Sequence, residues 1–268
     1  MIKFLLFLII LVLSLAVYAK YIERTNVFFP SEEIEATPEI LNLDYDDIYI
    51  DTEDSVKING WFIPNDKAEY TLLFFHGNGG NISNRLDKIK MLYDLDLSIF
   101  IIDYRGYGRS KGSPTEEGLY LDALTSYNYL VNKRKIENDR IIVYGESLGT
   151  VVAVDLAQKK DVKAIVLEGA ISSGRDLAKI YYPYMPTPLF SIKLDSESKI
   201  KEVNVPKLFL HSKEDEIVPI KLARKLYEVS PEPKEFIELR GGHSSAYQDS
   251  KDKYLSSIKS FIDLLKNR

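Results

Sequence analysis

From residue 44 onward the chain alternates short apolar runs with longer stretches of mixed polarity. "YDDIYIDTEDSVKINGWFIPN" reads as two strands joined by a turn at "DTEDS". "YTLLFFH" (Tyr70 to His76), "LSIFIID" (Leu97 to Asp103), "RIIVYG" (Arg140 to Gly145), "VKAIVLEG", "PKLFLH" (Pro206 to His211) and "KEFIEL" are six further strand-length runs. Helices are expected across about Asn81 to Tyr93, Thr115 to Lys133, the stretch after Ser147, Pro219 to Val229, and an amphipathic segment running to the C-terminus. Apolar strands alternating with helices predict an α/β fold, with a mainly parallel eight-stranded sheet covered by helices on both faces. Ligands of such sheets bind outside the carboxyl ends of the strands, so the loops that follow strands are where chemistry is expected.

Two segments break the alternation. "MIKFLLFLIILVLSLAVYAK" is apolar from Phe4 to Ala19, broken only by Ser14. Over residues 1–22 it reads as an N-terminal signal anchor whose flanking Lys3 and Lys20 can snorkel to lengthen the span. The alternative is a signal peptide cleaved after the small residues Val17 and Ala19, which would leave a secreted or periplasmic protein. A polar connector over 23–43 follows. The second irregular segment, Ile171 to Val203, contains "KIYYPYMPTPLFSIKLD" and is too long for a plain crossover. It is expected to form a small lid with an aromatic wall; the alternative is a decorated crossover helix packed on the sheet.

Composition narrows the function. Hydrophobic residues make up 45% of the 268-residue chain and charged residues 28%, as in an ordinary globular protein. The net charge of −5 argues against a nucleic-acid partner, which calls for a basic patch. There is no cysteine, which excludes disulfides, a thiol nucleophile and thiolate metal sites.

Candidate chemistry clusters after strands. "GESLG" places Ser147 between Gly145 and Gly149, at the junction of a strand and a helix. That is the G-x-S-x-G spacing in which a tight turn lifts a serine hydroxyl out of the backbone. A serine needs a base and an orienting acid to become nucleophilic. Of the three histidines, His243 in "LRGGHSSAY" is the candidate base, and His76 and His211 are expected to organise loops through hydrogen bonds. The acid is sought in "LFLHSKEDEIVP" among Glu214, Asp215 and Glu216, with Glu168 as a rival. "FFHGNGGN" supplies a glycine-rich loop, and the N–H groups of Asn78 and Leu148 are the expected oxyanion donors. No metal and no cofactor is called for.

"HGNGGN", "DYRGYGRSKGSP", "GESLGT" and "DEIVP" with "GGH" together resemble the α/β-hydrolases over roughly Asp44 to the C-terminus. Within them they are similar to the branch with an N-terminal membrane anchor, which includes acyl-protein thioesterases (depalmitoylases). The resemblance implies the order Ser147, Asp215, His243. It selects Asp215 because the acid of that branch lies four residues after the strand-ending histidine and three before a Val-Pro. Relatives often carry glycine after that histidine, where this chain has Ser212. Arg105 and Gly106 are expected to brace the oxyanion side of the site. The implied activity is hydrolysis of a small-molecule or lipidic acyl ester or thioester through an acyl-enzyme, beside a membrane. The alternatives are a serine peptidase of the same fold or a catalytically silent binding protein.

Overall fold

In the computed structural model, which describes residues 1–267, eight strands form one sheet: β1 (Asp46–Asp51), β2 (Lys57–Ile63), β3 (Tyr70–Phe75), β4 (Leu97–Asp103), β5 (Ile141–Glu146), β6 (Ala164–Glu168), β7 (Lys207–Ser212) and β8 (Lys234–Leu239). Their spatial order is β8-β7-β6-β5-β3-β4-β2-β1. β1–β2 and β2–β4 pair antiparallel and every other pair is parallel. The sheet has the expected strand number and orientation.

The helices are α1 (Ile2–Asn26), α2 (Leu86–Tyr93), α3 (Glu116–Asn132), α4 (Leu148–Lys159), α5 (Gly174–Tyr181), the one-turn α6 (Ser196–Lys199), α7 (Ile220–Val229), the one-turn α8 (Ala246–Asp249) and α9 (Lys251–Lys266). They cover both faces of the sheet, which is why β3, β4, β6 and β7 are buried along their whole length. Successive side chains alternate between faces. Leu73 and Phe75 pack with Leu119, Val151, Val154 and Leu222 of α3, α4 and α7. Leu72 and Phe74 pack with Ile89 and Leu92 of α2 and Tyr254 and Phe261 of α9. Each such aliphatic side chain removed from water contributes about 1.5–3 kcal/mol.

Three local departures from the expected elements have physical reasons. The helix expected from Asn81 starts as a 3-10 turn at Ile82–Arg85, because Asn81 caps it: its side chain accepts from Ser83 N, and its own N–H donates to Asn84. The apolar helix does not stop at residue 22 but continues to Asn26, since Glu23 finds acceptor work against the 171–203 segment. The connector is not featureless: Phe29–Pro30 pairs in parallel with Gly79–Gly80, fastening it to the loop after β3.

The chain leaves β3 for β4 on one side and returns to β5 on the other. This reversal opens a crevice at the carboxyl ends of β3 and β5. Phe75 lies opposite Gly145 in the register, so the loops that follow, at Gly77 and Ser147, emerge side by side.

Candidate active site

The strand β5 ends at Glu146 and α4 begins at Leu148, leaving Ser147 alone to make the turn. Its backbone sits at φ 51°, ψ −113°, which is neither helical nor extended. A non-glycine residue held there carries about 1–3 kcal/mol of local strain, sustained by what surrounds it. Two contacts enforce it. Ser147 N–H donates to Glu168 O (2.7 Å), and Thr150 Oγ1–H donates back to Ser147 O (2.6 Å). The flanking glycines are required by close approach. A Cβ on Gly149 would lie 2.0 Å from Phe75 O, and one on Gly145 would lie 2.4 Å from Gly149 O. The spacing therefore exists so that α4 can pack directly on β3.

His243 reaches this turn from the loop between β8 and α8. Ser147 Oγ–H donates to His243 Nε2 (2.9 Å). On the other side of the ring, Nδ1–H donates to Asp215 Oδ2 (2.7 Å). A carboxylate only accepts, so the proton is on Nδ1 and Nε2 is free to take one. Asp215 is itself held: Oδ1 accepts from Ile217 N (3.0 Å) and Val218 N (2.7 Å). The three carboxylates in a row divide the work. Glu214 accepts from Gly241 N (2.8 Å) and Glu216 accepts from His243 N (2.9 Å), so both fix the loop that carries His243. Glu168, the rival acid, points elsewhere and meets Lys88 Nζ (2.7 Å).

The charges follow from this geometry. Burial works to lower the His243 pKa. The hydrogen bond and charge of Asp215, with further help from the charges of Glu146 and Glu168, outweigh burial and raise it above its ordinary value. Burial pushes the Asp215 carboxyl up, and the His243 hydrogen bond and charge more than reverse it, leaving it lowered.

The glycine-rich loop after β3 lies against the serine: a Cβ on Gly77 would be 3.5 Å from Ser147 Cβ. His76 Nδ1–H donates to Gly77 O (2.7 Å) and His211 Nε2–H to Val218 O (2.7 Å), so both histidines organise the loops they begin. Among the described residues, neither the Asn78 nor the Leu148 N–H donates to a protein acceptor, and both residues line the cavity in front of Ser147. The Asn78 side chain is pinned away from that role by donors from Tyr107 OH (3.1 Å) and Phe29 N (3.3 Å). Here one expectation is corrected. Arg105 does not brace this loop: its guanidinium is spent on Asp122 (2.9 Å) and Asp54 (2.7 Å), tying α3 to the β1–β2 turn. The bracing comes from Tyr104, whose OH donates to His76 O (3.0 Å), and from Tyr107.

Sequence patterns missed two further groups. Lys88 of α2 is buried between Glu146 (2.8 Å) and Glu168 (2.7 Å), with Arg85 beside Glu146 (3.2 Å). Glu168 also accepts from Tyr144 OH, which lies 2.7 Å from Tyr254 OH. The second group is the end of α1, where Ile22, Glu23 and Asn26 wall the cavity together with Tyr181, Phe190 and Ile192 of the 171–203 segment. The cavity in front of Ser147 has a volume of about 630 Å³. Among the described residues, no group of three or more His, Asp or Glu side chains is placed to hold a metal ion.

An oriented serine, a base with its proton on the far nitrogen, and two unpaired N–H groups can together transfer an acyl group. Known proteins agree with the fold. A family model described as alpha/beta hydrolase fold matches residues 70–195. Protein bem46 of Schizosaccharomyces pombe is 34% identical, over 79% of this chain and 76% of that protein. The alpha/beta hydrolase domain-containing protein WAV2 of Arabidopsis thaliana is also 34% identical, over 74% of this chain and 70% of that one. The solved structure of the Pyrococcus furiosus esterase Pf2001 superposes with a TM-score of 0.73 at 22% identity, covering 88% of this chain and 98% of that one. By its fold, its strand order and these relatives, the chain belongs to the alpha/beta hydrolase family.

Proposed function

We propose that the protein is a serine hydrolase that cleaves carboxylic ester or thioester bonds through an acyl-enzyme. The observation that carries this reading is the hydrogen-bonded line from Asp215 through His243 to Ser147, ending at a 630 Å³ cavity. Ser147 Oγ attacks the carbonyl carbon and passes its proton to His243 Nε2. The oxyanion is received by the N–H groups of Asn78 and Leu148, and the positive end of α4 points at it. His243 returns the proton to the leaving oxygen or sulfur as the bond to it breaks. A water then gives its proton to His243 and its oxygen to the carbonyl, and the acid departs with Ser147 Oγ–H restored. Asp215 keeps Nδ1–H in place and stabilises the imidazolium in both halves.

The walls favour an acyl substrate over a peptide. Ile171, Leu177, Phe190, Ile192, Leu194 and Val218 offer apolar surface to an acyl chain. The 171–203 segment acts as the lid over it, and α1, long and apolar enough to cross a membrane, acts as the anchor. A fluorophosphonate probe tests the chemistry: wild type labels at Ser147 and Ser147→Ala does not. If the folded wild type never labels, the proposal fails in favour of a binding protein. Rates on p-nitrophenyl acyl esters are expected to exceed those on aminoacyl-nitroanilides; the reverse order would make the protein a peptidase.

A further inference from the structure

The end of α1 lives in a different environment from the rest of it. Phe4, Phe7, Ile10, Leu13 and Val17 are exposed along the helix, yet Ala19 and Ile22 are buried and Glu23 is only 6% exposed. Here the helix meets the lid. Glu23 accepts from the N–H groups of Ser191 and Ile192 (2.8 Å for the latter) and from Ser191 Oγ–H (2.7 Å). Lys20 Nζ donates to Ser191 Oγ (2.5 Å) and pairs with Glu23 (3.2 Å). One turn further on, Asn26 Nδ2 donates to Tyr182 OH (2.8 Å). α1 therefore grips the lid loop at both of its ends, Tyr182 and Ser191.

This grip sets the loop's height. Ile2–Glu23 is 22 residues long, about 33 Å at the helical rise, close to the thickness of a bilayer's hydrocarbon core. A bilayer that takes up this length ends within a turn of Lys20. A loop bound to Glu23 then lies at the level of the headgroups. Its composition suits that level: Tyr184 at its tip is 98% exposed, and Tyr181 is exposed beside it. On α1, Tyr18 and Tyr21 are exposed with rings stacked 6.5 Å apart, where tyrosines collect at membrane surfaces. The inner side of the same loop and helix end lines the cavity.

We propose that the end of α1 and the Tyr182–Ser191 loop form one gate seated on the membrane that holds α1. The acyl chain of a bilayer-resident amphiphile passes between them to Ser147. Glu23 is the positioning residue that keeps the gate in shape. The proposal rests on the hydrolase reading and goes further: α1 is part of the substrate path and not only a tether.

The test uses the full chain in phosphatidylcholine nanodiscs, with p-nitrophenyl butyrate as a soluble substrate and p-nitrophenyl palmitate dissolved in the bilayer. Tyr184→Glu places a charge at the loop tip, outside the cavity. It is expected to lower palmitate turnover by about tenfold or more and to leave butyrate turnover and fluorophosphonate labelling within about twofold. Glu23→Ala is expected to lower the palmitate-to-butyrate ratio likewise, with Glu23→Gln intermediate, because the amide keeps one acceptor for the Ser191 and Ile192 N–H groups. A second readout is independent of activity. The single native tryptophan, Trp61, is fully buried, so emission from Tyr184→Trp reports the loop. Brominated phosphatidylcholine is expected to quench it. Unquenched emission, or an unchanged palmitate-to-butyrate ratio in both Tyr184→Glu and Glu23→Ala, overturns the gate. Absence of labelling in the wild type would overturn the hydrolase reading instead, and quenching would still decide whether the loop is on the membrane.

Discussion

Gly149→Ala changes one hydrogen for a methyl group, yet it should disable the site without touching any of its functional groups. The added Cβ would lie 2.0 Å from Phe75 O, 2.6 Å from Phe75 C and 2.9 Å from His76 O, all of them backbone atoms that cannot rotate away. Relief requires α4 and the end of β3 to part by about an ångström, since Cβ contacts below about 3 Å do not occur. Overpacking of this kind costs about 1–3 kcal/mol of stability. The functional effect is larger. Leu148 rides on α4 and Asn78 on the loop after β3, so the same separation pulls the two proposed oxyanion donors apart. Losing one such donor lowers kcat by about 100- to 1,000-fold, and an ångström of misplacement has an effect of similar size. Gly79→Ala is the control: it sits in the same loop, but its Cβ would meet nothing within 4 Å. Hydrolysis of p-nitrophenyl butyrate and thermal unfolding, run on both variants, check the reasoning. Gly149→Ala should keep a folded transition while kcat falls about 100-fold or more, with Gly79→Ala near wild type in melting. If Gly149→Ala turns over at the wild-type rate, the two glycines do not set the distance between the donors.

Four further outcomes follow from the charges. In the proposed mechanism His243 must be neutral to accept the serine proton, and its pKa is raised, so the acid limb of kcat/KM should lie above pH 6.5. Asp215→Asn, which removes the largest influence raising that pKa, should move the limb to lower pH while cutting kcat by about 10,000-fold. Lys88→Met strands Glu168 in the interior, while Glu146 keeps Arg85, and should cost about 3–5 kcal/mol in urea unfolding, whereas Lys88→Met with Glu168→Gln should cost less. The Asp176 carboxyl, pushed up by burial but held down to about 2 by Lys225, Ser172 and Ser173, contributes stability that is complete above pH 3.8 and is lost as pH falls towards 2. Asp176→Asn should flatten that part of the acid unfolding curve.

What could be read ahead of the structure was whatever one strand and its following loop carry by themselves. The central strands are legible because a sheet covered on both faces needs uninterrupted apolar runs there, while the edge strands β1 and β8 show only as mixed ones. Ser147 is legible because glycines bracket it after such a run, and His243 because two glycines precede it after the last strand. The three carboxylates at 214–216 could not be ranked without the resemblance to known hydrolases, since all three look alike in sequence. Their separate duties, one on the imidazole and two on the backbone of its loop, arise only when β7 and β8 lie side by side. Arg105 was assigned to the wrong neighbour for the same reason: its partners come from residues 54 and 122, and no local pattern links them. The end of α1 was hidden because an apolar helix advertises its membrane face, not the few residues that reach the domain.

The buried and half-buried charges beside Ser147 bear on how so polar a floor would support the proposed anionic chemistry. Glu146 and Glu168 end neighbouring strands; Glu146 precedes the serine in the chain, and Glu168 O accepts from the serine N–H. Left alone, they would oppose the proposed oxyanion and favour the imidazolium more strongly. Lys88 and Arg85 supply two positive charges to these two carboxylates. Burial lowers the Lys88 pKa, but the carboxylates overcome it and raise it, so the ammonium stays charged. The face of Tyr247, 4.4 Å from Lys88 Nζ, covers the group from above. Two cations against two carboxylates temper their pull on the His243 proton without abolishing it, and the N-terminus of α4 with the Asn78 and Leu148 N–H groups is what faces the proposed oxyanion. The quartet also ties α2 to the ends of β5 and β6, so the group that balances the charges also steadies the two strands beside the strained serine turn.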